Sequence, residues 1–549
     1  MNAFLQSIGY ANWVLPVMLA IPLLGAGFLW FHGFVAERAL KGGPASDDIG
    51  RWVTFATFAA NFVVSLGLWW AFDPHGGWQF EFSIPWLPRW GVTFSLAIDG
   101  ISIFLVLLTS FLMPIAVLSG WTSIDRRVHT YHALFLVLTT AMLGVFMARD
   151  TFLFYVMWEI VLVPMFFIIG VWGGERRMYA ATKFFIYTFI GSLLMLLGIL
   201  YLGIAAADPI TGRPDFSYDA AFRIAQTLSS TERTWLFFAF FSAFAVKIPL
   251  FPFHTWLPDA HVEAPTEGSV DLAAILLKMG TYGLLRFSLP LFPDVVANPT
   301  VRSVVLGLAV VGVIYGALVA LVQTDFKRLV AYSSVSHMGL VVLGIFALTP
   351  ESMQGAMMVQ ISHGLSTGAL FLMIGMLYDR RHTRLFSAFG GLARVMPLYG
   401  LFLMICVMSS IAVPGTNGFI GEFLVLAGSF QTYPILAVVS AISVVLSAIF
   451  VLWALQRVIF NPLDKPENLK IPDMNWREVA MMVPVATIIF YIGLHPAPLL
   501  RRMEPRLQEL VQQIQPHVAA AAAKRATGVA TGVATPVAVT ADSVRIPLR

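Results

Sequence analysis

The sequence predicts an all-α integral membrane protein with about fourteen transmembrane helices. Of its 549 residues, 58% are hydrophobic and only 12% are charged. Soluble globular proteins carry about 25% charged residues. The third observation is a series of apolar runs of about 20 residues, the length that crosses a bilayer as a helix. A β-barrel instead needs alternating strands of about ten residues, which these uniform runs exclude.

The apolar runs place the predicted helices along the chain. Their approximate centres are Leu23, Val63, Leu107, Leu138, Val161, Leu194, Phe241, Leu276, Leu308, Leu340, Leu370, Val407, Val445 and Val485. The seventh run is interrupted at Pro249 and Pro252, and the twelfth at VPGTNGFIGEF. No basic segment precedes the first run, so we interpret Trp13 to Trp30 as a retained span rather than a signal peptide.

Lysine and arginine are distributed unequally between the loops. Loops after odd-numbered spans contain Arg38, Lys41, Arg51, Arg126, Arg127, Arg176, Arg177, Lys183, Lys327, Arg328, Arg380, Arg381, Arg384, Arg394, Arg457, Lys465, Lys470 and Arg477. Loops after even-numbered spans hold Arg89, Arg149, Arg213, Arg223, Arg233 and Arg302. The positive-inside rule therefore predicts a protein of the bacterial inner membrane with both termini in the periplasm. The net charge of +4 reflects the lysine and arginine residues on the cytoplasmic side. Nothing in the chain resembles a nucleic-acid module.

The two interruptions recur at a nearly constant offset from other polar residues. Lys247 and Glu422 are 175 positions apart (422 − 247). Glu159 and His337 are 178 apart (337 − 159). The offset spans five helices, and because five is odd the second unit must cross the membrane in the opposite direction. Inverted repeats with broken helices are typical of ion transporters.

The predicted organisation follows from this repeat. A three-helix segment occupies residues 1–130, the first five-helix unit 131–292 and the inverted second unit 303–460. A further helix at 478–515 precedes a tail, 516–549. The tail contains AAAAKRATGVATGVATPVAV, a low-complexity composition that predicts disorder.

Six ionisable residues lie inside the predicted spans, where a charge costs roughly 2.5–3.5 kcal/mol on insertion scales. They are Glu159, Lys247, Lys278, His337, His363 and Glu422. Such an alternating series of proton donors and acceptors is a candidate proton pathway. A hydrated helix break beside Lys247 lowers the desolvation cost of its charge. The alternatives are packing for the histidines, a structural ion pair for Glu159 and Lys247, and a helix cap for Glu422.

The cysteine content limits the chemistry of the chain. A single cysteine, Cys406, cannot hold an iron–sulfur cluster or form an internal disulfide. No dinucleotide-binding fingerprint and no P-loop sequence is present. We therefore expect no redox cofactor, nucleotide or metal in this chain.

Three stretches carry a family resemblance. FAVKIPLFPFHTWLPDAHVEAPTEGSVDLAAILLKMGTYGLLR resembles the signature of the antiporter-like subunits of respiratory complex I, shared with Mrp-type sodium/proton antiporters. WEIVLVPMFFIIGVWGGERRMYAATKFFIYT and VPGTNGFIGEF are similar to the subunit M type, the counterpart of mitochondrial NADH dehydrogenase subunit 4. The L and N types carry lysine on the twelfth helix, where this chain has Glu422.

The resemblance implies roles for the six residues. It pairs Glu159 with Lys247, makes Lys278 the central lysine and completes the series with the two histidines and Glu422. It also implies a proton-translocating subunit of NADH:quinone oxidoreductase in a lipid bilayer. FMN, iron–sulfur clusters and quinone are then expected in partner subunits, among them L-type and N-type subunits and small membrane chains.

Two other classes of function are open at this stage. The chain could be an Mrp-type sodium/proton antiporter subunit, or a membrane cytochrome with His337 and His363 as haem ligands. Co-purification of flavin-containing and cluster-containing subunits separates the first alternative from complex I. A reduced-minus-oxidised spectrum of the isolated chain tests the second.

Overall fold

The structure is a computed structural model that describes residues 1–39 and 44–531, and the side chains of residues 1–35 and 46–525. Helices dominate these residues, as the composition predicts. Twelve helices in this part of the chain are long and apolar enough to cross a membrane. The protein is therefore a multi-pass membrane protein of the all-α class.

The N-terminal part combines helices with a small sheet. Its elements are α1 (Asn2–Ser7), α2 (Tyr10–Ala39), α3 (Pro44–Ala71), β1 (Gln79–Leu87), β2 (Val92–Ile98) and α4 (Ser102–Ser119). The two strands form an antiparallel hairpin, which the sequence analysis did not predict. At its tip, Gly91 has a φ of +68°, and an added Cβ would lie 1.6 Å from the carbonyl oxygen of Pro214. Only glycine fits this turn.

The next part of the chain contains eleven helical segments. They are α5 (Val128–Met147), α6 (Thr151–Ile160), α7 (Leu162–Trp172), α8 (Arg177–Ala205), α9 (Tyr218–Thr227), α10 (Ser230–Lys247), α11 (Trp256–Glu263), α12 (Thr266–Asp271), α13 (Leu277–Gly283), α14 (Leu289–Leu291) and α15 (Pro293–Ala297). Two π-helical turns, Leu272–Leu276 and Leu284–Ser288, join α12, α13 and α14 into one continuous helix. π-Helical turns inside α-helices occur frequently at functional sites.

The last part contains eight helices. They are α16 (Pro299–Leu321), α17 (Phe326–Phe346), α18 (Pro350–Arg381), α19 (Pro397–Ser410), α20 (Asn417–Thr432), α21 (Pro434–Leu455), α22 (Trp476–Leu494) and α23 (Ala497–Thr531). α17 packs against α16 and α18, and α18 packs against α20. The central helices are thereby enclosed by their neighbours.

Both predicted interruptions are confirmed. α10 ends at Lys247, and the chain turns before α11 begins at Trp256. The indole Nε1 of Trp256 donates a hydrogen bond of 2.9 Å to the carbonyl oxygen of Val246, which satisfies a backbone group near the break. In the second interruption, α19 ends at Ser410 and α20 begins at Asn417. The twelve long helices are those at the other twelve predicted centres.

The central helices are more deeply buried than the peripheral ones. In their most apolar windows, the helix Thr266–Leu291 and α18 are 100% buried and α17 is 94% buried. The corresponding values for α8 and for the span Pro434–Phe460 are 39% and 33%. Lys278, His337 and His363, which lie on these three helices, are therefore surrounded by protein rather than by lipid.

The C-terminal part differs from the prediction. The single helix expected at 478–515 is two helices, α22 and α23, and α23 continues through Thr531. The disorder predicted from residue 516 therefore does not begin there, and residues 532–549 lie outside the described part. Composition alone missed this helix because contacts with other elements stabilise its first half. The side-chain amides of Gln513 and Gln515 donate to the carbonyl oxygens of Pro290 (3.0 Å) and Leu348 (3.2 Å).

A buried ion-pair cluster joins three distant parts of the chain. Asp99 follows the hairpin and accepts hydrogen bonds from Arg286 (2.6 Å) and from Arg506 on α23 (3.1 Å). Asp99 and Arg286 are both 1% exposed. Burial by itself raises the pKa of Asp99, but the Arg286 and Arg506 guanidinium groups hold it down at about 2. The cluster therefore contributes stability above the ordinary value of 3.8, and this contribution is lost as the pH falls towards 2.

Asp99→Asn should destabilise the protein by about 3–5 kcal/mol, because it leaves the Arg286 charge buried without its partner. Thermal unfolding of the detergent-solubilised protein measures this loss. Asp48→Asn is the control, since it breaks an ion pair with Arg51 in which the Asp48 side chain is 59% exposed. That change should cost at most about 1 kcal/mol. Equal losses in the two variants would contradict a special role for the buried cluster.

Candidate functional site

Glu159 lies near the end of α6, which is anchored at its start. Asp150 caps this helix by accepting from the backbone N–H groups of Phe152 (2.9 Å) and Leu153 (3.0 Å). Its other carboxylate oxygen accepts from the backbone of Thr93 on β2 (2.9 Å). Oε1 of Glu159 is buried and has no hydrogen-bond partner in the structure. The first acid of the predicted series is thus held on a fixed helix with one oxygen unpaired.

Lys247 occupies the last position of α10, directly before the break. Its side chain is buried, and Nζ has no hydrogen-bond partner. Nζ lies 5.5 Å from the ring centroids of both Trp158 and Phe184, a distance at which aromatic rings attract a cation. Two carboxylates, Glu159 and Asp271, are within electrostatic reach of Lys247. Neither forms a direct hydrogen-bonded ion pair with it in this structure.

Lys278 is fully buried in α13. Its Nζ donates to the carbonyl oxygen of Ala273 at 2.5 Å, within the π-helical turn that precedes α13. The same atom lies 2.7 Å from Nδ1 of His363 on α18. Because a charged lysine can only donate, Nδ1 of His363 is the acceptor when Lys278 carries its proton.

The series continues from His363 to the second interruption. The rings of His363 and His337 meet edge to face, with their centroids 5.6 Å apart. Nδ1 of His337 lies 2.8 Å from the carbonyl oxygen of Ser333, so Nδ1 carries a hydrogen. Its Nε2 lies 3.4 Å from Oε1 of Glu422 on α20. Lys278, His363, His337 and Glu422 therefore form one contiguous series across four helices.

A small polar cavity adjoins this series. Its volume is about 20 Å³, and its lining includes both histidines, Ser362, Ser366 and Glu422. Space for one water molecule requires at least about 10–15 Å³. The cavity is therefore large enough for a water molecule that could hydrogen-bond to the histidines and the carboxylate.

Hydroxyl groups connect the cavity to the second interruption. The Oγ atoms of Ser366 and Ser409 are 2.5 Å apart, and Ser409 donates to Oδ1 of Asn417 at 2.5 Å. The backbone carbonyl of Asn417 accepts from Ser362 at 2.8 Å. These contacts fix the start of α20, and so the position of Glu422, relative to α18.

The structure thus brings four of the six predicted residues into contact and leaves a gap before them. No direct contact joins Lys247 to Lys278 among the described side chains. The sequence analysis missed Asp271, which is fully buried two helical turns before Lys278. The stretch DLAAILLK contained the signal, an acid seven positions before a lysine in an apolar run.

Two further buried groups also escaped the sequence analysis. Glu267 is 1% exposed, and its Oε1 would lie 1.7 Å from a Cβ added to Gly120. The ring of His261 stacks on Phe371 with centroids 4.9 Å apart. Both residues lie in HVEAPTEGSVD, which looks like a loop because of its proline and glycine and is in fact enclosed by neighbouring helices.

The positions of the histidines and acids bear on metal binding and on the haem hypothesis. Among the described residues, no group of three or more His, Cys, Asp or Glu side chains could hold a metal ion. His337 and His363 contact each other directly, so no porphyrin fits between them as axial ligands require. The haem hypothesis is therefore inconsistent with this geometry.

Comparison with known proteins identifies the family. A family profile described as "NADH:quinone oxidoreductase/Mrp antiporter, TM" matches residues 148–449. The chain belongs to this family. The matched region contains all six predicted residues and both interruptions. The family resemblance inferred from the sequence is confirmed.

Curated relatives narrow the assignment within the family. NADH-quinone oxidoreductase subunit M of Rhodobacter capsulatus is 45% identical over 504 residues, covering 91% of this chain and 96% of the relative. Subunit M of Escherichia coli (strain K12) is 40% identical over 89% of this chain and 95% of its own length. NADH-ubiquinone oxidoreductase chain 4 of Arabidopsis thaliana is 43% identical over 82% of this chain and 90% of its own length.

Solved structures share the fold. A chain of respiratory complex I from Thermus thermophilus superposes with a TM-score of 0.80 at 30% identity, covering 91% of this chain and 99% of that one. A chain of the Mrp complex from Dietzia sp. has a TM-score of 0.77 at 19% identity, covering 92% of this chain and 99% of that one. The second likeness shows the fold alone, so the antiporter alternative has the weaker support.

Asn417→Ala should lower the free energy of unfolding by about 1–3 kcal/mol, because the Ser409 hydroxyl loses its buried acceptor. Thermal unfolding of the purified protein measures the change. Ser443→Ala is the matched control, since this hydroxyl donates to the Ser440 carbonyl of its own helix. Its loss should cost less than about 1 kcal/mol. A stable Asn417→Ala variant would show that the hydroxyl network does not hold the interruption.

Proposed function

We propose that this chain is a proton-translocating membrane subunit of an NADH:quinone oxidoreductase in the bacterial inner membrane. The observation that carries the proposal is the contiguous series Lys278, His363, His337 and Glu422. Every member has an ionisable side chain, and every member is buried between helices rather than exposed to lipid. Buried ionisable residues of this kind mark ion pathways in membrane proteins.

The series supports proton transfer towards the second interruption. A proton leaves the ammonium group of Lys278 for Nδ1 of His363, and then reaches His337 and Glu422. The cavity beside the histidines has room for a water molecule that completes the hydrogen-bonded path. Glu422 follows the break at Gly415 and Gly418, where water that hydrogen-bonds to the backbone can accept the proton.

Glu159 and Lys247 act as the switch in this proposal. When their charges approach, the carboxylate stabilises the lysine ammonium. When they separate, the ammonium is left in an apolar environment and releases its proton. Each charge moved against 100 mV costs about 2.3 kcal/mol. A buried charge without its partner is destabilised by about 3–5 kcal/mol. The separated ammonium loses this penalty when it releases its proton, and the penalty exceeds the cost of moving the charge.

Partner subunits complete the enzyme. The flavin, the iron–sulfur clusters and the quinone site belong to other chains in this proposal, since the single cysteine, Cys406, cannot ligate a cluster. L-type and N-type antiporter-like subunits and small membrane chains are the proposed neighbours in the bilayer. The curated relatives, at 39–45% identity, are complex I subunits, which supports complex I over the Mrp-type antiporter as the parent assembly.

The proposed architecture has fourteen membrane crossings. α10 and the pair α19–α20 are the two crossings added to the twelve long helices. Residues 131–292 and 303–460 form two inverted five-helix units, each with one interrupted helix, between the segments 1–130 and 478–515. The matching positions of the two interruptions support this repeat. Both termini then lie in the periplasm.

Glu159→Gln and Lys247→Ala should each abolish most proton pumping and quinone-linked NADH oxidation in the assembled complex. Each variant removes one charge of the proposed switch. Pumping is measured by acidification or dye quenching in native membrane vesicles. Electron transfer from NADH to an artificial acceptor should persist, because the cofactors lie in other chains. A variant that assembles and pumps normally would show that the pair is structural.

Glu232→Gln is the control for this experiment. Glu232 is a partly exposed acid that forms a capping box with Ser229 at the start of α10, the helix that ends with Lys247. Loss of a cap costs about 0.5–2 kcal/mol of stability and removes no group from the proposed path. Pumping in this variant should stay close to that of the unaltered complex.

Cysteine labelling should reveal the predicted orientation. Cys406 is buried, so cysteines introduced on the surface can be labelled selectively. Ile210→Cys, at a position 92% exposed in the loop after α8, should react with an impermeant reagent added from the periplasmic side. Asp464→Cys, in the loop after α21, should react only after the membrane is opened. The reverse pattern would place the termini in the cytoplasm.

A further inference from the structure

Asp271 occupies the gap between the two parts of the proposed pathway. It is the last residue of α12, and its side chain is fully buried. Neither carboxylate oxygen has a hydrogen-bond partner in the structure. A buried carboxylate without partners is costly, and so such groups are rare in folded proteins. The same helix retains this cost at Asp271 and at Glu267, four positions earlier.

Lys247 shares this property, and it lies beside the helix that carries Asp271. A Cβ added to Gly280 of that helix would lie 2.6 Å from Cγ1 of Ile248, the residue after Lys247. Lys247 is the charged group that acts electrostatically on Asp271, and Asp271 is one of two carboxylates that act on Lys247. Nζ of Lys247 is also without a hydrogen-bond partner. One buried cation thus has two carboxylates, the half-buried Glu159 and the fully buried Asp271, within electrostatic reach, and it is hydrogen-bonded to neither.

Helix geometry connects Asp271 to Lys278. The two residues are seven positions apart on one continuous helix, so at most about 10 Å separates them along its axis. The Lys278 side chain runs back towards the start of the helix, because Nζ donates to the carbonyl of Ala273. Its ammonium group is therefore closer to Asp271 than the sequence separation suggests. The π-helical turn Leu272–Leu276 lies between them.

We propose that Asp271 is a proton-carrying residue that accepts a proton from Lys247 and passes it to Lys278. The inference rests on the proposed function and extends it. The order of groups becomes Glu159, Lys247, Asp271, Lys278, then the histidines and Glu422. Acids and lysines alternate along the first four positions. Lys247 exchanges one carboxylate partner for the other during the cycle.

The transfer balances in two steps. First, an N–H bond of the Lys247 ammonium breaks and an O–H bond forms on the Asp271 carboxylate, which leaves a neutral amine and a neutral acid. Second, the acid gives this proton to the neutral amine of Lys278, which becomes the ammonium that faces His363. Since Lys247 and Asp271 do not touch, the first step passes through an intervening water. No oxidant, reductant or metal takes part.

A purely structural acid would be held differently. The buried acid Asp99 accepts hydrogen bonds from two arginines and from backbone groups, and its charge is compensated. Asp150, which is also buried, caps α6 and accepts from Thr93. Asp271 has no such contacts, although it is as buried as Asp99. The contrast favours a role in which its protonation changes.

The test uses the complete complex in native membranes. Asp271→Asn keeps the shape of the side chain and removes the titrating group, whereas Asp271→Glu keeps the acid. Asp294→Asn is the matched control, because it removes an acid from an ion pair with Arg233 outside the pathway. Assembly and electron transfer to an artificial acceptor are measured alongside pumping.

Asp271→Asn should reduce NADH-driven pumping by about tenfold or more while assembly stays normal, since a proton-transferring side chain commonly contributes larger factors. Asp271→Glu should restore most of the activity. Asp294→Asn should leave it nearly unchanged. Adding Asp271→Asn to Lys247→Ala should cause little further loss, because both residues serve one path.

The outcomes separate this inference from the proposed function. Normal pumping in Asp271→Asn beside a defect in Glu159→Gln overturns the role of Asp271 and leaves the proposed function intact. Normal pumping in both variants overturns the proposed function as well. If Asp271→Asn does not assemble, Asp271→Glu decides. The solvent isotope effect on pumping by Asp271→Glu is compared with that of the unaltered complex. A different isotope effect supports proton transfer through Asp271, and an equal one contradicts it.

Discussion

The interior of a bilayer contains no water to solvate a charge or a free peptide group, and this constraint governs the arrangement of the chain. The two interrupted helices expose backbone groups, and ionisable residues lie beside both interruptions. At the first, the Trp256 indole bonds to the Val246 carbonyl, and Lys247 lies against two aromatic rings. At the second, Ser362, Ser409 and Asn417 satisfy one another. At both interruptions, the polar groups that satisfy the helix break therefore lie beside the ionisable residues.

The two halves of the proposed pathway differ in continuity. From Lys278 to Glu422, successive side chains meet at 2.7 Å, through contacting rings, and at 3.4 Å. Around Lys247, the acids are within electrostatic reach but form no direct bond. Controlled proton transfer requires both features. The path from Lys278 to Glu422 is connected, and the charges around Lys247 are separated. Movement of Lys247 between its two carboxylates would then decide when the connected half receives a proton.

Contacts at the helix ends hold this arrangement together. Asp99 joins the hairpin, the helix that carries Lys278, and α23 through two arginines. α23 also bonds to Pro290 and Leu348, in different parts of the chain. A rigid frame matters for proton transfer because a change of less than an ångström alters a hydrogen-bonded path. The hairpin and α23 contain none of the six predicted residues, yet they fix the helices that do.

The sequence alone determined the fold class, the two interruptions and the six ionisable residues within the spans, because hydropathy and helix breakers are local properties that the bilayer makes decisive. The hairpin, the helical course of α23 through Thr531 and the burial of Glu267 were missed, because they depend on neighbours distant in sequence. Only tertiary structure decided that His363, rather than His337, contacts Lys278, and that α10 ends beside the helix that carries Asp271. Such contacts depend on how helices pack, and periodicity within one helix does not specify its neighbour.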